Sequence, residues 1–334
     1  MTKSKLRWGI IGCAGIAVRS VIPGIAQSER GEVTAIASRD ETKAKETAEK
    51  LGIPKAYGSY EALLADGDID AVYIPLPNNM HKEWTIRAAE AGKHVLCEKP
   101  FSMDAAEAAE MVEACAKHGV KLAEAFMYRH HPRYKRIKEI IASGEIGTIR
   151  GIHGTFTFNN SANTTNFRNN LAMGGGALYD IGVYPISAAR LLLDAEPEAA
   201  TVHAFFSPEH GGVDMMASGL LEFGGGVALT FDCAMWAAGR NTLEVLGTEG
   251  RIELPSAFVC APNAQSVFYV TVKGNRREET IDPLNQYSLQ ADDFAATVLD
   301  GAPSLFGEDD PTLGMRVLDA CLESARTRSR IVIS

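Results

Sequence analysis

The chain has 334 residues, of which 46% are apolar and 22% charged, and a formal net charge of −9. Its length suggests two domains of ordinary size, and its composition is that of a globular protein rather than a disordered or fibrous one. The acidic balance excludes a general nucleic-acid binder, which carries a basic stripe. Cys13, Cys97, Cys115, Cys233, Cys260 and Cys321 form no CxxC pair, so neither a zinc site nor a disulfide framework is expected.

The opening stretch MTKSKLRWGII carries cations but no apolar run ahead of the first strand, and no later window approaches a membrane span. A cytoplasmic location is expected. From Leu6 to about Phe126, short β-branched runs (LRWGII, EVTAIA, DAVYIP, KHVLCE, VKLAEAF) alternate with Ala/Glu/Lys-rich stretches such as TKAKETAEK and HKEWTIRAAEA. Strand, helix, strand at this spacing predicts right-handed βαβ units in a doubly wound parallel sheet. In DAAEAAEMVEACAKHG, Ala108, Met111, Val112 and Cys115 recur at helical spacing, Asp104 suits the N-cap and Gly119 the stop.

Beyond about Tyr128 the rhythm changes. Helices are expected over 133–143 and 177–193, followed by long strands in EAATVHAFF, MMASGLLEF, GVALTFDCAM, TLEVLGTEGRIEL and SVFYVTVKG. FGGGV at 223–227 and TEG at 248–250 read as turns. The second domain is therefore expected to be α+β, with a large, mainly antiparallel open sheet and further helices near 289–299 and 313–326. The expected division is 1–126 and 127–334.

The first strand runs into GCAGIA, residues 12–17, a GxGxxA pattern whose central glycine is Ala14. Dinucleotide binding needs a tight strand-to-helix turn, close backbone approach to a pyrophosphate and a small residue where helix meets strand. Gly12, Ala14 and Ala17 suit those roles, Gly15 adds freedom, and Ile16 lies within the turn. A plain tight turn is the alternative. Where an NAD site places an acidic residue against the ribose, this chain has Ser38, then Arg39 and later Lys43. A hydroxyl with cations suits a 2′-phosphate, so NADP is expected over NAD, unless Arg39 and Lys43 are solvated surface charges.

HVLCEKPF, residues 94–101, ends a buried strand on Glu98, Lys99 and Pro100. A lysine at that end of a parallel sheet lies where ligands bind, and beside a cationic nicotinamide its pKa is expected to fall toward the range of an acid/base catalyst. A surface lysine at a strand end is the bland reading. In GGGALYDIGVYP, residues 174–185, Asp180 and Tyr184 share one face of a helix, either as site residues or as part of a capped core helix. Arg129 and Arg168 are candidates for substrate or phosphate contacts, or for structural salt bridges. His130 and His131 complete no metal set. The polar run NNSANTTNFRNN, 159–170, is either a lid or a surface loop.

Taken together and in order, GCAGIA, ASRD, PLPNNMH, CEKP and GGGALYDIGVYP resemble the glucose-fructose oxidoreductase/inositol dehydrogenase (Gfo/Idh/MocA) family. The likeness is greatest to its branch of NADP-dependent D-xylose dehydrogenases, dimeric dihydrodiol dehydrogenases and sugar 3-ketoreductases. The resemblance implies an N-terminal Rossmann domain and a C-terminal domain whose open sheet forms a homodimer or homotetramer. It implies that Leu76, Pro77, Asn78 and His81 line the cofactor, that Lys99 transfers the proton with Glu98 beside it, that Asp180 accepts a substrate hydroxyl, and that Tyr184 is a partner acid/base or anchor. Met127 stands in the substrate region where the dihydrodiol enzymes have tryptophan, which argues against an aromatic diol.

The implied reaction is hydride transfer between nicotinamide and a hydroxyl- or carbonyl-bearing carbon of a sugar or cyclic polyol, as in an aldose 1-dehydrogenase or ketosugar reductase, with no metal required. Two other classes compete. A sugar-sensing regulator without turnover has no need of both Lys99 and Tyr184, and an NAD-dependent glycosidase is disfavoured by Ser38.

Overall fold

The computed structural model describes residues 5–262 and 264–333. The stretch Met1–Ser4, included above in the search for a leader, lies outside them. The chain forms two compact units, Met1–His130 with Asn285–Thr312 and His131–Leu284 with Leu313–Ser334. Its helices are α1 (Ile22–Gln27), α2 (Glu41–Leu51), α3 (Tyr60–Leu64), α4 (His81–Glu90), α5 (Ala105–Lys117), α6 (Pro132–Ala142), α7 (Val183–Leu193), α8 (Gln286–Leu299) and α9 (Asp310–Thr327). Among the described residues, no helix is long and apolar enough to cross a membrane.

In the first unit, β1 (Leu6–Ile11), β2 (Gly31–Ala37), β3 (Lys55–Tyr57), β4 (Ala71–Ile74), β5 (His94–Cys97) and β6 (Leu122–Glu124) make a parallel sheet in the order β3-β2-β1-β4-β5-β6. The alternating elements read from the sequence are the cause: each buried run can pair only after a helical crossover. Local capping sets the helix starts. Asp40 accepts the Lys43 amide ahead of α2, and Asp104 accepts the Glu107 amide ahead of α5. Strand order reverses between β1 and β4, and the ends of those strands open a crevice of the kind that binds ligands.

The boundary expected after 126 falls at His130, and the first unit also recruits 285–312, which a contiguous split assigned to the second. The reason is burial. Ala291, Phe294 and Ala295 of α8 pack with Leu6, Trp8 and Ile25, and the Trp8 and Phe294 rings lie 5.3 Å apart. Asp292 accepts the Ser28 hydroxyl at 2.5 Å and the Arg30 amide at 2.9 Å, and the Arg30 guanidinium pairs with Asp300.

The second unit holds β7 (Ile149–Asn159), β8 (Ala199–Phe206), β9 (Asp214–Phe223), β10 (Val227–Ala234), β11 (Trp236–Gly247), β12 (Gly250–Leu254), β13 (Ser266–Val272), β14 (Asn275–Ile281) and β15 (Ile331–Val332). Their order is β14-β13-β12-β11-β7-β10-β9-β8-β15. The pairs are antiparallel except β7 with β10, which run parallel. The central strand β7 was absent from the sequence reading, because IRGIHGTFTFN carries glycines that weaken a strand signal. Gly154 has a packing reason: a Cβ there would lie 2.5 Å from Pro185 Cβ, so its absence lets α7 lie close on the sheet.

His131 caps α6 by accepting the Arg133 amide at 3.2 Å. Burial, and then the Arg133 charge, push its pKa down to about 3. The folded value lies below the ordinary 6.5, so the neutral ring's contribution to stability is complete above that pH and is lost as pH falls toward 3. His131→Asn keeps a capping side chain but cannot titrate. Between pH 7.5 and 5 the wild type should lose about 2 kcal/mol more than this variant in urea unfolding. Equal losses would remove His131 from the account.

Candidate functional site

In the first unit, the glycine turn is built by the end of β1. Gly12 has φ +109°, donates its N–H to Ala37 at 2.9 Å, and leaves room for Leu76, whose Cδ2 would lie 3.0 Å from an added Cβ. That backbone conformation favours glycine. Ala14 is half-buried in the turn, and Ile16 packs on the core at the head of the following π-helical turn, Ala17–Val21.

The Arg19 guanidinium folds back over Gly15, where a Cβ would meet both terminal nitrogens at 2.9 Å. Sequence reading missed Arg19, although it follows Gly15 by one helical turn.

Past β2, Ser38 is buried and its hydroxyl accepts the Asp40 amide at 3.1 Å, which leaves the O–H to donate. Arg39 is exposed beside Tyr60, whose phenol is pushed up by burial against the pull of the Arg39 charge. Lys43 lies in the first turn of α2, and its carbonyl faces the Cys13 thiol at 4.0 Å. The glycine turn and the Ser38–Arg39–Lys43 cluster are therefore neighbours. A hydroxyl donor and two cations beside a backbone turn suit a doubly charged phosphate.

The loops after β4 and β5 are tied by His81. Its Nε2 lies 2.8 Å from the Leu76 carbonyl and its Nδ1 3.0 Å from the Pro100 carbonyl. His81, expected along the cofactor, is fully buried between these two loops. Burial holds its pKa below the ordinary value, and the Lys99 charge pushes the same way. Pro77 precedes a short 3-10 turn, Asn78–Met80, in which Asn78 is buried.

Glu98 and Lys99 follow β5 directly. The Glu98 carboxylate accepts the Tyr73 hydroxyl at 2.5 Å and the Lys99 amide at 3.2 Å, Lys99 is half-buried, and the Lys99–Pro100 bond is cis. Tyr287 of α8 also faces Glu98: burial, then the Glu98 charge, push its phenol up to about 12. Only the return of the chain brings it there.

Met127 is buried in the turn Met127–His130. Arg129 is engaged structurally: its guanidinium lies 4.8 Å from the Phe126 and Phe306 ring centres and 2.5 Å from Asp310. A salt bridge, one of the two roles expected for Arg129, is present.

In the second unit, the Arg168 Nε donates to Asp180 Oδ2 at 2.6 Å. The loop before it explains its asparagines as turn formers. Asn159, Asn166 and Asn170 accept the amides of Ser161, Arg168 and Ala172, and Asn169 donates to the Asn163 carbonyl. Asp180 lies in a π-helical turn, Leu178–Gly182, that leads into α7, within the helix expected over 177–193. Tyr184 is buried, with ring centres of Phe156 and Phe258 at 5.1 and 5.5 Å. A carboxylate oriented by a guanidinium can bind hydroxyl groups in a directed way.

Residues 6–126 match the model of an oxidoreductase family with an NAD-binding Rossmann fold, and residues 134–253 match the GFO/IDH/MocA C-terminal domain. The chain is 40% identical to a D-xylose 1-dehydrogenase (NADP(+)) of Haloferax volcanii over 98% of its length and 99% of the relative's. It is similar to a solved 3-ketoreductase from Actinomadura kijaniata in complex with NADP and TDP-benzene, with TM-score 0.91, 34% identity, and coverage of 96% of this chain and 98% of the other. An aldose-aldose oxidoreductase from Caulobacter crescentus complexed with glycerol gives TM-score 0.91 and 29% identity, covering 98% and 99%.

Proposed function

The chain belongs to the GFO/IDH/MocA oxidoreductase family, and on that premise we propose that it is an NADP-dependent sugar dehydrogenase or ketosugar reductase with Lys99 as acid/base. One observation carries the reading: Lys99 lies two residues past the end of β5, in the same parallel sheet whose β1 end bears the glycine turn beside Ser38, Arg39 and Lys43. NADP, when bound, supplies the hydride acceptor or donor. Gly12, Ala14 and Gly15 let the backbone approach its pyrophosphate, Arg19 flanks that group, and Ser38, Arg39 and Lys43 hold the 2′-phosphate.

Lys99 takes the hydroxyl proton in oxidation and returns it in reduction, and its ammonium form steadies the alkoxide. In the second unit, Asp180, braced by Arg168, accepts a sugar hydroxyl, and Tyr184 is an anchor or a second acid/base. The test is absorbance at 340 nm with aldoses, ketosugars and polyols, each with NADP and NAD. Turnover with NADP on a sugar is expected. Tight NADP binding with no turnover on any of them would replace the enzyme by a sugar-responsive regulator.

Assembly as a homodimer or homotetramer through the nine-stranded sheet is part of the same reading. Phe205 and Trp236 stack 4.9 Å apart while 47% and 38% exposed, and Met216, paired with Phe205 across β8 and β9, is exposed too. A patch of this kind marks an association surface. Trp236→Glu is expected to lower the mass seen by size-exclusion chromatography with light scattering. An unchanged mass would move the interface elsewhere.

A further inference from the structure

Asp214 opens β9 and is 2% exposed, yet no function described above uses it. Its Oδ2 accepts the Leu178 amide at 2.7 Å, at the first residue of the helical segment that carries Asp180 and Tyr184. A helix start leaves amides without intrahelical partners, and a buried carboxylate there satisfies a donor and complements the helix dipole.

The neighbouring backbone is shaped around this carboxylate. Gly176 has φ +127°, and a Cβ on it would lie 2.0 Å from Asp214 Oδ1. The same Gly176 donates its amide to the Arg168 carbonyl at 3.0 Å and accepts the Asp180 amide at 3.0 Å. Gly175 is as constrained, since a Cβ there would lie 2.4 Å from the Arg168 carbonyl oxygen. Asp214, the glycine run, Arg168 and Asp180 thus form one connected cluster.

We propose that Asp214 is a positioning residue: its carboxylate pins the Gly176–Leu178 backbone, and thereby sets the Arg168–Asp180 pair and the start of the helix bearing Tyr184. This rests on the reading of Asp180 and Tyr184 as substrate residues. Burial pushes the Asp214 carboxyl up to about 7, while the amides of Leu178, Asp214 itself and Ala177, and then the Arg326 charge, pull it back. The Cys233 thiol is a further titratable neighbour, itself pushed up by burial and by the Asp214 charge.

Hydrogen exchange read by mass spectrometry on the full chain tests this without any substrate. In Asp214→Ala, exchange across 176–184 is expected to accelerate at least tenfold, with 94–101 unchanged and NADP affinity, measured by fluorescence, unaltered. Asp214→Asn, which keeps a carbonyl acceptor, should restore most of the protection. If the alanine variant does not fold, Gly176→Ala should reproduce the local loss with Asp214 in place, because its Cβ displaces the carboxylate.

Unchanged exchange over 176–184, or an equal loss spread through β7 and β10 in every variant, would overturn the proposal. With whichever sugar the 340 nm screen turns over, KM should rise about tenfold in Asp214→Ala and less in Asp214→Asn. Absence of turnover in the wild type sinks the sugar-oxidoreductase reading, and the exchange result alone then decides whether Asp214 holds the helix.

Discussion

Replacing Lys99 by alanine is expected to lower kcat by about 10²–10⁴-fold, the range that a positioned proton-transfer group supplies. NADP affinity should stay within a few fold. The expectation follows from how the residue is held. Glu98, fixed by Tyr73, accepts the Lys99 amide, and the His81 ring sits between the Pro100 and Leu76 carbonyls with one N–H to donate, so the loop after β5 is held from both sides. Removing the Lys99 side chain leaves these contacts in place. The loss should therefore fall on the chemical step rather than on folding, visible as a drop in kcat with an unshifted thermal midpoint and an intact NADP titration. A kcat within threefold of wild type would show that another group moves the proton.

The second large effect concerns the cofactor's ribose. Ser38→Asp with Arg39→Ala is expected to weaken NADP at least a hundredfold and to improve NAD. Charge-assisted hydrogen bonds to phosphate contribute about 1.5–3 kcal/mol each, and the double variant removes one cation while placing a carboxylate against the phosphate. The new aspartate also supplies the acceptor that a ribose 2′-hydroxyl requires. Fluorescence titration of both dinucleotides measures the switch. If the ratio of affinities stays unchanged, Arg39 and Lys43 are solvated surface charges and the phosphate is held elsewhere.

The residues behind both expectations stand out in local sequence. Alternating β-branched and Ala/Glu/Lys-rich runs predicted the parallel sheet, because a strand or helix shows its period within a few residues. Asp104 and Gly119 marked the ends of α5 by their own conformational preferences. GCAGIA, Ser38, Arg39, Lys43 and Glu98–Lys99 sit directly at strand ends, so knowing the strands was enough to place them.

Groups that meet only through long-range packing left no such signal. The return of 285–312 to the first unit depends on Phe294 finding Trp8, which no window of sequence contains. That return also brings Tyr287 to Glu98. The contacts of Arg129 with Phe306 and Asp310 likewise join residues far apart in the chain. His81 lay in a recognised segment, but its burial against two carbonyls is a property of two loops at once. Asp214 looked like any strand-edge aspartate, because a carboxylate acquires its role from the amides it meets. The sequence by itself determined most of the elements and which residues stand at their ends, since both are local. Tertiary structure alone decided which side chains are satisfied by one another, since burial and hydrogen-bond partnership join residues far apart in the chain.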